Sequence, residues 1–226
     1  LLASPNIADK RWVYRQYDHM VRLGTVKRPG AADAAVVRIP NTKKAVALTT
    51  DCNSVWVKAD PFVGTEGAIA EAARNVACTG AEPLAVTDCL NFGNPERPEV
   101  MWEFVRSIQG MGHALRQLGI PVVSGNVSLY NETGDVSVHP TPGIGLVGLI
   151  EDRSCAVGCG FVEEGHRLLL LGTPTPTLGA TAYGRVIHGV ETGAPPAVDW
   201  DAEKALQATL RAGIVAGHIA AAHDAA

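Results

Sequence analysis

The sequence predicts an α/β (α+β) protein on three observations. Short β-prone runs alternate with stretches of helical spacing, two of those runs empty into Gly/Asn-rich segments, and the longest periodic stretch carries both a start and a stop signal. Residues 10–21 set Trp12, Tyr14, Tyr17 and Val21 among charges after the Ser4-Pro5-Asn6 turn, so a short helix is expected there. Residues 35–39 and 45–50 are β-prone runs joined by Pro40-Asn41-Thr42, which reads as a hairpin delivering Asp51 at its far end. Thr65 is the expected N-cap of a helix to about Cys78, with a stripe of small residues (Ala68, Ala72, Ala73, Val76) suited to close packing on a sheet. Residues 83–88 form a short buried strand before the polar loop Asn91-Phe92-Gly93-Asn94-Pro95. Pro98 then opens a long amphipathic helix that Gly119 closes. Residues 121–123 are a further strand, expected to empty into a loop Ser124-Gly125-Asn126-Val127-Ser128. Residues 136–139 and 144–150 add more strands.

The first domain is expected to span residues 1–152. Beyond it, 167–171 reads as an apolar strand, 173–179 as a Pro/Thr/Gly loop, 180–188 as a helix, and 199 onward as a long Ala-rich helix that Gly213 and Gly217 could divide. One strand and two helices cannot bury their own faces, so residues 153–226 read as the opening of a second α/β domain. The start at Leu1-Leu2 without Met fits a piece of something longer.

The composition is that of a globular chain: 226 residues, 46% apolar, 19 basic against 23 acidic side chains. No run approaches the roughly 18 apolar residues of a spanning helix, and no signal-peptide order is present, so a membrane role is disfavoured. The near-balanced charge offers little field for nucleic acid. Five cysteines without a Cys-x-x-Cys argue for reduced, mostly buried thiols in a cytoplasmic protein. Gly143-Ile144-Gly145-Leu146-Val147-Gly148 matches a dinucleotide-binding pattern, but its glycines lie inside an apolar run with no helix after them. Close packing within a strand is the better account. What remains are polar groups at the ends of buried strands: Asp51, Asp88, Asn91, Asn126 and Ser128. In an α/β sheet such ends converge on a crevice that could hold a phosphate and its metal, and each is equally an ordinary turn former.

Four strings at these same places resemble the phosphoribosylformylglycinamidine synthase family, the PurL synthetase subunits of purine biosynthesis. They are Ser4-Pro5-Asn6-Ile7 with Trp12-Val13-Tyr14-Arg15-Gln16-Tyr17-Asp18, Glu71-Ala72-Ala73-Arg74-Asn75-Val76, Thr87-Asp88-Cys89-Leu90-Asn91-Phe92-Gly93-Asn94-Pro95, and Gly125-Asn126-Val127-Ser128-Leu129-Tyr130-Asn131-Glu132. The resemblance implies the N-terminal, ATP-binding and barrel-forming domain of aminoimidazole ribonucleotide synthetase (PurM-like), followed by the start of a PurM-like C-terminal domain. It implies a segment from the second half of a longer, internally duplicated ligase. In that family ATP phosphorylates the amide oxygen of formylglycinamide ribonucleotide, and glutamine-derived ammonia displaces the phosphate to give the amidine.

Carried over residue by residue, the resemblance implies that Asp88 and Gly125 contact ATP, Asn126 coordinates Mg²⁺ and Ser128 binds the ribonucleotide, with no catalytic residue in this segment. It implies as partners the other half of the same chain, a glutaminase subunit and a small accessory subunit, with self-association of the isolated segment. Asp51-Cys52-Asn53 and Ser124-Gly125 depart from the commoner Asp-Gly-Asn and Gly-Gly of the family. Two alternatives stay open: a non-catalytic pairing half, and another PurM-like ATP-dependent enzyme such as selenophosphate synthetase or thiamine-phosphate kinase.

Overall fold

The computed structural model describes residues 1–174 and 177–225. Part of the expected 173–179 loop therefore lies outside the described residues. The helix expected over 10–21 reduces to one turn, α1 (Arg11–Tyr14), and a separate 3₁₀ turn at Val21–Leu23. Its spacing is amphipathic, but Trp12 and Tyr17 stay exposed and no core receives the stripe. Strands β1 (Thr25–Lys27), β2 (Ala35–Arg38) and β3 (Ala45–Asp51) form an antiparallel meander, and the expected hairpin is β2–β3 with Ala35 opposite Leu48.

After β3, Asn53 caps the short helix α2 (Ser54–Ala59), and Asp60 caps α3 (Pro61–Cys78) by accepting from the Phe62 and Val63 amides at 3.0 and 3.1 Å. The helix thus begins four residues before Thr65, with Pro61 in its first turn. Thr65 is buried and returns its hydroxyl to the Pro61 carbonyl at 2.7 Å. Strand β4 (Glu82–Asn91) follows, then α4 (Pro98–Leu118), opened by Pro98 and closed by Gly119 in the left-handed region (φ 69°). Strand β5 (Val122–Ser128) leads to the small hairpin of β6 (Glu132–Thr133) and β7 (Val136–Ser137), and β8 (Thr141–Ile150) completes the sheet.

The main sheet has the order β1-β2-β3-β8-β4-β5, antiparallel throughout except for the parallel β4–β5 pair at one edge. Along β8 burial alternates: Ile144, Leu146, Gly148 and Ile150 are buried, and the residues between them are partly open. The buried side faces α3, which packs in turn on α4. Gly148 lies where a β-carbon would overlap the Val76 side chain of α3, so the expectation of packing glycines in this run holds.

Residues after β8 dock on the same helices. Helix α5 (Ala182–His188) is short, and α6 (Trp200–Val215), capped by Asp199, lies against α3. The Trp200 indole donates to Glu66 at 3.0 Å, and Arg74 of α3 bonds Glu203 of α6 at 2.9 Å and Asp224 of the tail at 3.1 Å. Residues 167–171 are not a strand. No neighbouring strand pairs with them among the described residues, and Leu168 is 83% exposed. The cysteines are all free, but only Cys78 is buried and Cys89 is exposed, which corrects the expectation of mostly buried thiols. Among the described residues no helix is long and apolar enough to cross a membrane.

Candidate functional site

Asp51 and Asp88 lie opposite the same residue of β8, Ile144, one on each side of that strand. With Thr50, Cys52, Thr87 and Cys89 they line a cleft of about 330 Å³ over Gly143, Ile144 and Gly145. Two of the expected polar strand ends thus border one cleft, but their carboxylates do not enter it: Asp51 and Asp88 share the α3-facing side of the sheet with Ile144, whereas the Gly143 and Gly145 floor lies on the opposite side. The floor is open because Gly143 and Gly145 put no side chain there; a β-carbon on Gly145 would stand 2.7 Å from the Thr87 methyl.

Asp51 is anchored: Thr49 Oγ1 donates to it at 2.6 Å and Asn75 Nδ2 at 2.9 Å. Burial nevertheless raises its pKa. Beside it on α3, burial first, then the charges of Asp51 and Asp224, push the Glu71 carboxyl up to about 7, while Arg74 opposes. Burial likewise pushes the Cys52 thiol up to about 12, so it is an unreactive thiol at neutral pH.

Asp88 differs from Asp51. Its carboxylate accepts no hydrogen bond among the described residues, and partial burial raises its pKa. In the parallel β4–β5 pair it stands opposite Gly125, where a β-carbon would come within 2.5 Å of Asp88 Oδ2 and 2.6 Å of Oδ1. Gly125 is thus the residue that leaves room for the carboxylate. Ser124 opposes Thr87, their hydroxyls 2.7 Å apart; Asn126 opposes Cys89 and Ser128 opposes Asn91.

This pairing corrects the expected loop at 124–128: these residues continue β5, because each finds a β4 partner that outweighs its turn propensity. It also settles sidedness. Side chains alternate along a strand, so Asp88 and Gly125 lie on the face toward α3, while Asn126 and Ser128 lie on the other. Asn126 is exposed and its side chain makes no hydrogen bond among the described residues, so it does not act as a turn former. Ser128 partly answers the turn reading: its hydroxyl donates to Asn131 Oδ1 at 3.1 Å. Asn91 closes locally on the Cys89 carbonyl at 2.9 Å and does not line the cleft.

Among the described residues no group of three or more His, Cys, Asp or Glu side chains is arranged to hold a metal. A single exposed carboxamide at Asn126 suits one position in the coordination of a hard cation whose remaining ligands are phosphate oxygens or groups from elsewhere.

One residue that the spacing of polar strand ends did not single out ties this region together. Glu132 Oε1 accepts from the Asn94 amide at 2.9 Å, from Ser137 Oγ at 2.8 Å and from Arg97 Nη2 at 2.5 Å. Its only sequence signal is its place at the end of the Gly125–Glu132 string.

With this geometry in place, three comparisons bear on it. Residues 31–150 match the family described as AIR synthase related protein, N-terminal domain. The chain is 54% identical over 224 residues, 99% of its length, to the phosphoribosylformylglycinamidine synthase subunit PurL of Thermomicrobium roseum. It is 52% identical over 226 residues to that of Moorella thermoacetica. It spans only about 30% of the length of these curated relatives. Among solved structures it is similar to PurLQS from Thermotoga maritima, with a TM-score of 0.62 and 35% identity over 66% of this chain and 25% of that one. It is also similar to T. maritima PurL complexed with ATP, with a TM-score of 0.59 and 33% identity over 66% of this chain and 24% of that one.

Proposed function

Because the chain belongs to the AIR synthase related family, we propose that it is one segment of a phosphoribosylformylglycinamidine synthase, the ATP-dependent ligase that converts formylglycinamide ribonucleotide and ammonia to the amidine, ADP and phosphate. The observation that carries this reading is the Asp88–Gly125 pair. An unpartnered carboxylate sits over a glycine with no room for a β-carbon, within strings that resemble the PurL subunits. Asp88 and Gly125 serve ATP, Asn126 supplies one ligand to a Mg²⁺ shared with the nucleotide, and Ser128 offers the ribonucleotide its hydroxyl oxygen, which can accept while its proton is given to Asn131. When bound, Mg²⁺ would offset charge on the transferring phosphoryl group. T. maritima PurL has been solved with ATP and with FGAR, which supports extending both ligands to this chain.

The test is turnover by the full-length protein with formylglycinamide ribonucleotide, ATP and ammonia, compared with Asn126→Ala. Asn126 is exposed and unbonded, so its loss should leave stability within about 0.5 kcal/mol while lowering the rate by about tenfold or more. A normal rate in the folded variant would remove Asn126 from the site.

The partner reading rests on β5. Its outer edge carries no neighbouring strand among the described residues, and Val122, Val123 and Val127 are 48%, 67% and 53% exposed. Such an edge recruits another strand. In the whole protein that role falls to the other half of the chain, with glutaminase and accessory subunits beyond it. Sedimentation of the isolated segment should show self-association, and a clean monomer up to about 100 μM would oppose the edge reading.

A further inference from the structure

The loop after β4 and the turn after β5 are laced together by backbone bonds. Phe92 N donates to the Ser128 carbonyl at 3.0 Å, Tyr130 N to Gly93 O at 2.9 Å and Asn131 N to Phe92 O at 3.1 Å. The Asn131 side chain doubles this seam, donating to the carbonyls of Phe92 and Ser128, both at 2.9 Å, while its oxygen takes the Ser128 hydroxyl. Asn131 therefore decides where the Ser128 hydroxyl points. Besides these bonds, Asn131 is anchored through the next residue in the chain, because the carboxylate of Glu132 pins β6 to the segment leading into α4.

All three donors to that carboxylate converge on Oε1, and two of them, the Asn94 amide and the Arg97 guanidinium, come from the loop 35 or more residues earlier. The third, Ser137, comes from β7. Gly93 faces this junction with no space for a side chain: a β-carbon there would overlap Ser137 Oγ and stand 3.1 Å from Glu132 Oε1. The Asn94 amide, the Ser137 hydroxyl and Arg97 all favour the ionised form and hold the Glu132 carboxyl below the ordinary range. The clamp thus persists across the neutral range, and it includes a charge-assisted bond, the stronger kind.

We infer that Glu132 is a positioning residue for the ribonucleotide subsite: its bonds to Asn94, Arg97 and Ser137 fix Asn131, and through Asn131 they aim the hydroxyl of Ser128. The inference rests on the synthase reading above. It separates the two substrates, because Asp88 and Gly125 lie upstream in β4 and β5, where the strand ladder holds them without help from Glu132.

The experiment is steady-state kinetics of the full-length protein with ammonia as nitrogen donor, comparing Glu132→Ala, Glu132→Gln and Arg97→Gln. Glu132→Ala should raise the KM for formylglycinamide ribonucleotide about tenfold, as a displaced contact group does. The KM for ATP should change by less than about twofold. Glu132→Gln keeps an oxygen for the Asn94 amide and the Ser137 hydroxyl, so it should recover part of the loss, with an effect of about threefold. Arg97→Gln should match it. Should Glu132→Ala fail to fold, the other two variants decide by the same split between the substrates. An unchanged ribonucleotide KM in the folded variants, or an equal rise in both KM values, overturns the positioning role. A parent enzyme without turnover of formylglycinamide ribonucleotide would sink the synthase reading, and the positioning role with it.

Discussion

Replacing Gly125 by Ala and, separately, Gly148 by Ala tests whether the glycines of this sheet serve the site or the fold. At Gly125 the new β-carbon meets Asp88 at 2.5 Å, whereas ordinary contact begins near 3.4 Å, so the carboxylate must retreat by about 0.9 Å. The obstacle is the end of a partly exposed side chain with no bonding partner among the described residues. Moving it costs about 0.5–1.5 kcal/mol in rotamer strain. Removing the glycine returns about 0.5–1 kcal/mol of unfolded-state entropy, so net stability should shift by less than about 1 kcal/mol. Nucleotide affinity should respond strongly, because a misplaced charged contact is worth about 1.5–3 kcal/mol, or roughly 10- to 100-fold in Kd. At Gly148 the obstacles are the buried Val76 side chain, the Glu82 carbonyl at 2.9 Å and Ala81 at 3.1 Å. Neither helix nor strand can step aside, so overpacking should cost about 2–3 kcal/mol with nucleotide binding unaltered in the folded fraction. Urea unfolding and calorimetric titration with a non-hydrolysable ATP analogue read the two quantities separately. If Gly125→Ala destabilises as much as Gly148→Ala while binding the analogue normally, the glycine serves packing and the assignment of Asp88 to the nucleotide loses its support.

Two further perturbations address the charged junction between α3, α6 and the tail. Glu71 has its pKa raised from 4.5 to about 7, so between those values the folded protein holds a proton that the unfolded chain has released. Its unfavourable contribution is absent below about pH 4.5, grows as pH rises through the window and is complete above about pH 7. Glu71→Gln should therefore be more stable than the parent by about 1 kcal/mol at pH 8, after allowance for solvent screening, and equal to it near pH 4. Thermal melts at the two pH values check this, and an equal gain at both would contradict it. Arg74→Met leaves Glu203 and Asp224 without their shared cation. The loss should be about 2–3 kcal/mol, below the roughly 3–5 of a fully buried pair because Arg74 is 23% exposed. Limited proteolysis should then release the tail, and a protected tail would show that Asp33, which bonds the Asp224 amide at 2.7 Å and His223 at 2.6 Å, suffices alone.

Where a local signal and the tertiary environment agree, the sequence is readable. Pro98 and Gly119 bracket α4 because a proline suits a first turn and a glycine the left-handed cap, and neither depends on what surrounds the helix. The apolar run of β8 foretells a strand, although which of its faces is buried emerges only from the packing of α3. Where the environment decides, reading fails. Ser124-Gly125-Asn126-Val127-Ser128 has turn composition, yet a complete set of β4 partners draws it into the sheet. Residues 167–171 have strand composition and no partner among the described residues to make it effective. Asp60-Pro61 does announce the true start of α3, but Gly64 and Gly67 weaken the helical pattern around it and draw the boundary to Thr65.

For the proposed site, the candidate residues are legible as strings, whereas their sidedness is not. Asp88, Gly125, Asn126 and Ser128 sit within two short stretches, and nothing in their spacing says that the first two share a face and the last two take the other. Only the β4–β5 register does, since a shift of one residue would exchange them. That register carries a geometric consequence for the chemistry. β5 is the edge strand among the described residues, so on the proposed assignment a nucleotide at Asp88 and a cation at Asn126 would have to meet past the end of β5 or over its free edge, and not across the sheet interior. The Glu132 clamp closes the loops at that end of β4 and β5. Its loop donors are 35 and 38 residues away in sequence, a separation at which no local pattern could have revealed it.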